Sequence, residues 1–153
     1  MTKHLTIAAI LFFCAGCTSI SVRPVSPELA IADVCIEENP KVIVEDFLSV
    51  VRNGFDRHGI ATKVVTGPAP KECEYVLTYT AFKTWDFATY LHHAELRLER
   101  NGRIIGSAEY HLVGKGGLSL MKWQSTKTKM DPVIDELLAN TKGGLRGFEW
   151  VSR

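Results

Sequence analysis

The spacing of hydrophobic residues predicts a helix in the first half of the chain. Asn39 suits the N-cap and Pro40 the first helical position, and the helix is expected to run to about His58. Gly54 lies inside it, where glycine costs about 1 kcal/mol relative to alanine, so it indicates a close contact with another element. The apolar stripe recurs every four residues and consists of Ile43, Phe47, Val51 and Phe55.

Strands are predicted on both sides of that helix, although the pattern of the second is weak. The first covers residues 31–36 and the second residues 60–66. A longer strand follows over residues 74–85, and residues 85–90, which are unusually aromatic, are expected to form a turn or a bent connection. The apolar face of the long strand carries Tyr75, Leu77, Tyr79 and Ala81.

A hairpin is predicted over residues 91–112, because Asn101-Gly102 is the strongest short-range turn signal in the chain. The side-chain pattern favours a three-residue loop over residues 100–102, which gives the hairpin one apolar and one polar face. This register pairs Leu98 with Ile104, Leu96 with Gly106, Ala94 with Ala108, and His92 with Tyr110.

A second helix is predicted from Thr126 or Asp131 through Asn140, and its apolar stripe consists of Met130, Val133, Ile134, Leu137 and Leu138. The order of elements predicts a two-layer α+β fold, with a mainly antiparallel sheet of four to five strands and two helices on one face. Residues 31–140 are expected to form a single globular domain, and residues 141–153 a flexible tail.

The N-terminal segment has the layout of a secretory signal peptide. Lys3 supplies a positive charge, and the apolar run over residues 5–13 is too short to span a bilayer. The end of this run resembles a bacterial lipobox, in which small residues precede a lipidated cysteine; it reads Leu11-Phe12-Phe13-Cys14-Ala15-Gly16-Cys17. The resemblance implies that residues 1–16 are removed and that Cys17 carries the lipid.

Residues 17–30 are expected to form an extended tether behind the lipid, since Pro24 and Pro27 lie among polar residues. Several acyl chains are enough for stable anchoring to a membrane. The residue after Cys17 is Thr18 rather than aspartate. By resemblance to the usual lipoprotein sorting rule, this implies the outer membrane. The domain is expected to face the periplasm, with the cell surface as the alternative.

Charge and cysteine content add two constraints. Without Lys3 the chain has 17 basic and 17 acidic residues, which is not the balance of a general polyanion binder, so no nucleic acid partner is expected. Cys14 and Cys17 belong to the signal and the anchor. Cys35 and Cys73 remain, and in an oxidising compartment this pair predicts a disulfide, with two free buried thiols as the alternative.

Three stretches resemble a family of small, uncharacterised Gram-negative lipoproteins. The likeness runs from the lipobox to about Leu138, and it implies an envelope location. The family has no known activity, so no catalytic residue is transferred. The three stretches are Val34-Cys35-Ile36-Glu37-Glu38-Asn39-Pro40, Cys73-Glu74-Tyr75-Val76-Leu77-Thr78-Tyr79 and Lys122-Trp123-Gln124-Ser125-Thr126-Lys127-Thr128-Lys129-Met130.

Two clusters are candidates for binding. His93, Glu109 and His111 share the polar face of the predicted hairpin, and such ligands suit zinc or copper, although exposed histidines are often only surface residues. The second cluster is a basic stretch with an aromatic residue, which suits anionic lipid or a protein partner; the alternative is a solvated face with the tryptophan in the core. This stretch contains Lys115, Lys122, Trp123, Lys127 and Lys129.

The sequence favours a binding protein over an enzyme. Asp86 could form the rim of a ligand site or cap its own turn, and Ser119 and Ser125 lack evident His and acid partners. The leading hypothesis is a non-enzymatic, lipid-anchored lipoprotein that binds a protein partner or envelope component and needs no cofactor beyond its covalent lipid. One alternative is metal or small-ligand binding by the His/Glu cluster, and a second is a hydrolase of unknown substrate.

Overall fold

The computed structural model describes residues 18–117 and 119–141, so the predicted signal peptide, Cys17 and nearly all of the predicted tail lie outside the described residues. The strands are β1 (Thr18–Arg23), β2 (Asp33–Glu38), β3 (Ala61–Thr66), β4 (Tyr75–Asp86), β5 (Ala88–Arg100) and β6 (Arg103–Leu112). The helices are α1 (Phe47–Arg57) and α2 (Thr126–Leu138), and 3₁₀ turns cover Val113–Gly116 and Leu120–Trp123. Within the described ranges, no helix is long and apolar enough to cross a membrane.

The strands form one mixed sheet in the order β1-β6-β5-β4-β2-β3. Strands β1, β6, β5 and β4 pair antiparallel, whereas β2 pairs parallel with both β4 and β3. The α+β class and the mostly antiparallel sheet are confirmed. The prediction of four to five strands is wrong, because the sheet has six.

The additional strand comes from the segment that was predicted to be a tether. Thr18–Arg23 pairs along β6, from Leu112 to Ser107, so the prediction of a tether over residues 17–30 is wrong for this part. Pro24 follows the last residue of β1, at a position where the missing N–H costs no ladder hydrogen bond. The described part of the predicted tether therefore contributes an edge strand to the domain.

Helix α1 begins at Phe47, seven residues later than the predicted start at Pro40. Asn39 does not cap a helix there, because its Nδ2 donates to the carbonyl oxygen of Tyr79 at 2.9 Å and its Oδ1 accepts from the N–H of Lys41 at 3.1 Å. Ile43, predicted to lie on the buried stripe, is 63% exposed. The predicted helical period is correct only from Phe47 onwards.

The hairpin between β5 and β6 has a two-residue turn instead of the predicted three-residue loop. Asn101 and Gly102 have φ angles of 51° and 72°, the left-handed conformation of a type I′ turn. A bulge next to the turn shifts the register, so Leu98 pairs with Gly106 rather than with Ile104. Side chains alternate between the two faces of a strand, so a displacement by two residues leaves each one on its predicted face. The hairpin therefore keeps its apolar and its polar face.

Both helices pack on one face of the sheet. The ring of Phe47 in α1 lies 5.6 Å from the ring of Tyr79 in β4, measured between centroids. A Cβ atom at Gly106 in β6 would lie 3.1 Å from Leu137 Cδ1 in α2. The helices meet where a Cβ atom at Gly54 would lie 2.7 Å from Ile134 Cγ2, so the close contact predicted at this glycine is confirmed.

Replacing Gly54 with alanine is expected to destabilise the fold by about 1–2 kcal/mol. The overlap with the fully buried Ile134 outweighs the ~1 kcal/mol gained in helix propensity. Chemical denaturation gives the free energy of unfolding. In an Ile134→Ala background the same substitution should be harmless or stabilising, and an equal loss in both backgrounds would contradict the contact.

Cys35 in β2 and Cys73, just before β4, form the predicted disulfide, with their Cα atoms 5.9 Å apart. The alternative of two free thiols does not apply to this structure. The bond ties together two parallel strands that are separated in sequence by α1 and β3.

Candidate functional site

A cluster of exposed apolar residues lies at one end of the sheet. Strands β4 and β5 reverse direction at Phe87, which has a φ of 60° and is 89% exposed. Trp85, beside it, is 72% exposed. Most of the predicted turn over residues 85–90 is strand, since Trp85 pairs with Thr89. We call the exposed cluster the apolar tip; it contains Trp85, Phe87, Leu120, Met121 and Trp123.

Polar contacts hold the 3₁₀ turn Leu120–Trp123 against the end of the hairpin. Lys122 Nζ donates to Asp86 Oδ2 at 2.5 Å and to the carbonyl oxygen of Gly117 at 3.0 Å. Trp123 Nε1 donates to the carbonyl oxygen of Asp86 at 3.1 Å. The Lys122 ammonium also lies 4.6 Å from the centroid of the Trp123 ring. Asp86 is therefore an internal anchor for the tip.

Lys129 of α2 is buried behind these contacts. Its ammonium donates to the carbonyl oxygens of Leu91, at 2.9 Å, and Lys122, and it lies 5.4 Å from the centroid of the Tyr90 ring. No carboxylate of the described residues forms a salt bridge with it. Burial lowers the pKa of Lys129 to about 8.

The predicted basic surface is therefore only partly correct. Lys122 and Lys129 are each only 5% exposed, because carbonyl oxygens, Asp86 and aromatic rings surround their ammonium groups. Lys115 and Lys127 are exposed, and Lys127 forms an ion pair with Asp131 on α2. Trp123 was predicted to lie either on a binding surface or in the core. It does neither fully, since it contacts Asp86 and remains 37% exposed.

The pKa of Lys129 predicts a specific dependence of stability on pH. The unfolded chain, with a pKa near 10.5, binds more protons than the folded chain between pH 8 and 10.5, so this group makes stability rise with pH in that window. We expect a gain of about 1–3 kcal/mol. Burial raises the pKa of Tyr110 to about 12, which lowers stability above pH 10, so the effect of Lys129 is measured between pH 8 and 10.

Denaturation curves at several pH values check this expectation. The slope between pH 8 and 10 should disappear in Lys129→Met and persist in Lys127→Met, where the exposed neighbour is changed instead. A slope that survives in Lys129→Met would mean that another group causes it.

The histidines of the polar face have cross-strand partners that differ from the predicted ones. The register shift places His111, not Glu109, opposite His93, whose Nδ1 lies 3.8 Å from Glu109 Oε1. A register shift in β5 brings the His92 ring within 5.7 Å of the His111 ring, and burial lowers the pKa of His92. In residues 18–117 and 119–141, no three His, Cys, Asp or Glu side chains are placed to hold a metal ion, so the predicted ligand set is not assembled.

The two serines considered for hydrolysis lie at the start of helical segments. Ser119 Oγ accepts from the N–H of Met121 at 3.3 Å, and Ser125 Oγ accepts from the N–H of Thr128 at 3.1 Å. These are the contacts of N-cap residues, which satisfy backbone donors that a short helix leaves free. Both hydroxyls therefore fix the backbone around the tip.

The apolar tip and the start of the described chain lie at the same end of the sheet. Strand β6 runs antiparallel to β5 and therefore ends, at Leu112, on the side where β5 begins. Thr18 pairs with Leu112, so the residue that follows Cys17 lies at that end as well. The hairpin of β4 and β5 projects beyond it, since Asp86 and Ala88 pair several residues past the end of β6.

A groove of about 270 Å³ opens between β1 and the 3₁₀ turn Leu120–Trp123. We call it the β1 groove. Most of its exposed lining is apolar. The lining includes Thr18, Ile20, Leu112, Met121, Lys129 and Pro132.

The likeness of this chain to known proteins is structural. No family model and no curated protein sequence matches it. PelC from Paraburkholderia phytofirmans, solved as a dodecamer, aligns with a TM-score of 0.51 and 16% identity over 80% of this chain and 96% of that one. A single-substitution variant of the same PelC gives 0.49 and 18% over 76% and 96%. A PDZ domain protein from Parabacteroides distasonis gives 0.38 and 8% over 78% and 36%. At these identities the match with the first PelC structure indicates a shared fold.

Sequence reasoning found part of the site. It noted the aromatic stretch before Tyr90 and the basic segment, but it placed them apart. The ion pair between Lys122 and Asp86, 36 residues apart, joins them. The high exposure of Phe87 and Met121 was missed, since apolar residues are normally assigned to the core.

Proposed function

We propose that this protein is a non-enzymatic lipoprotein of the Gram-negative cell envelope, attached to the outer membrane through Cys17. Its domain lies in the periplasm with the apolar tip in the membrane interface, and it binds an envelope partner from that position. The observation that carries the proposal is the location of Thr18 and the apolar tip at one end of the sheet.

The composition of the tip supports a membrane interface as its environment. Several large apolar side chains that are exposed near one end of a small domain indicate an interaction site. Tryptophan and phenylalanine supply apolar area, and tryptophan is enriched at the level of the lipid headgroups. Lys115, exposed in the 3₁₀ turn after β6, adds a positive charge suited to anionic headgroups.

The arrangement of polar groups at this end supports a binding role. Asp86, Lys122 and Lys129 contact one another or backbone carbonyl oxygens, and these contacts fix the shape of the tip. The face of the sheet opposite the helices carries side chains such as Glu95, Arg97 and Glu109, and we propose that an envelope partner binds there.

Self-assembly is a second candidate function. It is favoured by the shared fold with PelC, whose solved structure is a dodecamer. Light scattering of the detergent-purified protein measures its mass. A mass of several chains that falls to one chain in Trp85→Ser would mean that the tip forms contacts between copies. A single-chain mass at all concentrations would contradict self-assembly.

Membrane fractionation of the wild type beside Cys17→Ala tests the proposed anchor. We expect the wild type in the outer membrane, with a mature N-terminus whose mass shows an acylated Cys17, and the variant unprocessed or released. Cys14→Ala is the matched control and should behave like the wild type, because Cys14 lies in the segment that is removed. If the N-terminus stays intact and both proteins fractionate alike, the proposal fails.

A further inference from the structure

We infer that the β1 groove holds one acyl chain of the lipid on Cys17 of the same molecule. This inference rests on the proposed function, since it requires Cys17 to be lipidated. The groove lies on the helix side of β1, between the strand and the segment that leads into α2.

The covalent connection brings this lipid to the groove. Thr18 lines the groove and follows Cys17 directly, and consecutive Cα atoms are about 3.8 Å apart. Any chain attached to the cysteine therefore starts within a few ångströms of the groove. Attachment also turns binding into an intramolecular event with a high effective concentration, which no free lipid of the bilayer shares.

The walls of the groove suit a hydrocarbon chain. Ile20, Leu112, Met121 and Pro132 contribute apolar surface. Lys129 also lines it, but its ammonium is bound to the carbonyl oxygens of Leu91 and Lys122, so no free charge from this side chain needs to be desolvated.

The size of the groove limits its occupant to part of a lipid. Its volume of about 270 Å³ is below the 300–1,000 Å³ that is typical of sites for whole small molecules. The end of one acyl chain can therefore enter while the rest of the lipid remains in the bilayer. With the apolar tip in the membrane interface, the chain can pass between bilayer and groove without crossing open water.

Photo-crosslinking in the full-length, membrane-bound protein tests the inference. Benzoylphenylalanine is introduced at Met121 or Thr128, which line the groove and are both exposed, so neither substitution disturbs the core. The matched control is Ile43, an exposed apolar residue that does not line the groove. After irradiation, mass spectrometry identifies what each position has captured.

We expect the crosslink at Met121 and Thr128 to lie on the acyl chain of the N-terminal peptide, not on Thr18, which itself lines the groove, and to form at least tenfold more than at Ile43. Crosslinks at the groove to bilayer phospholipid alone, or to no lipid, would overturn the inference and leave the proposed function standing, provided that the mass of the N-terminal peptide shows acylation. An N-terminal peptide without acyl groups would overturn both.

Discussion

Replacing both Cys35 and Cys73 with serine is expected to lower the free energy of unfolding by about 4 kcal/mol. The bond closes a loop with a sequence separation of 38 residues, and a crosslink of this span restricts the unfolded chain by about that amount in the loop-entropy model. The loss is a large part of the 5–15 kcal/mol stability of a typical domain. Urea denaturation with a fluorescence readout measures it.

Wild-type protein unfolded in the presence of a reducing agent is the matched control for this variant. It should show nearly the same loss, because reduction removes the same crosslink without changing the sequence. A loss below about 1 kcal/mol in both samples would contradict a stabilising role for the bond.

Replacing Asp86 with asparagine is expected to destabilise the protein by about 2 kcal/mol. The substitution removes the carboxylate that faces the buried ammonium of Lys122, and breaking a buried pair in this way typically costs about 3–5 kcal/mol. The expected loss is smaller here because the Asp86 side chain is itself 42% exposed. Hydrogen exchange should also become faster in the strand ends beside Phe87, since they lose their link to the 3₁₀ turn.

Asp135→Asn is the matched control, because it breaks an ion pair with Arg57 on the exposed surface of the helices. Surface pairs contribute about 0–1 kcal/mol, so the control should lose less than 1 kcal/mol and leave exchange at the tip unchanged. Adding Lys122→Met to Asp86→Asn should recover part of the loss. Equal losses in Asp86→Asn and Asp135→Asn would contradict the internal role of Asp86.

The parts of the fold that sequence predicts well are those with local patterns. Alternation between Tyr75 and Ala81 identified β4 and its buried face, because a strand that is buried on one side repeats every two residues. Gly54 indicated a helix contact, since glycine inside a helix needs a packing reason. The cysteine count and the expected oxidising compartment together predicted the pairing of Cys35 with Cys73, because Cys14 and Cys17 were assigned to the predicted signal and anchor.

The errors arise where distant residues decide the local structure. Strand β1 has polar residues on the face away from the helices, and its partner β6 lies some 90 residues later in the chain. Its own sequence therefore resembles that of a spacer. Asn39 has the residue type of a helix cap, yet its amide bonds to Tyr79 in β4. Lys122 and Lys129 were predicted to be exposed because lysine rarely enters a core, and only tertiary contacts supply the partners that allow it.

The central claim is that the anchor and the apolar tip contact the same membrane, and a fluorophore at the tip tests it most directly. With residues 1–16 removed and Cys17 acylated, as we propose, Phe87→Cys provides a single free thiol, since Cys35 and Cys73 are bonded. The labelled protein is placed in vesicles whose lipids carry a quencher near the headgroup. Ile104→Cys, exposed and at the opposite end of β6 from Leu112, is the matched control.

We expect lipid quenching to reduce the fluorescence at residue 87 by at least half and to leave that at residue 104 nearly unchanged. Equal, weak quenching at both positions in protein whose Cys17 is acylated would contradict the account, because the domain would then be anchored without placing its apolar tip in the membrane.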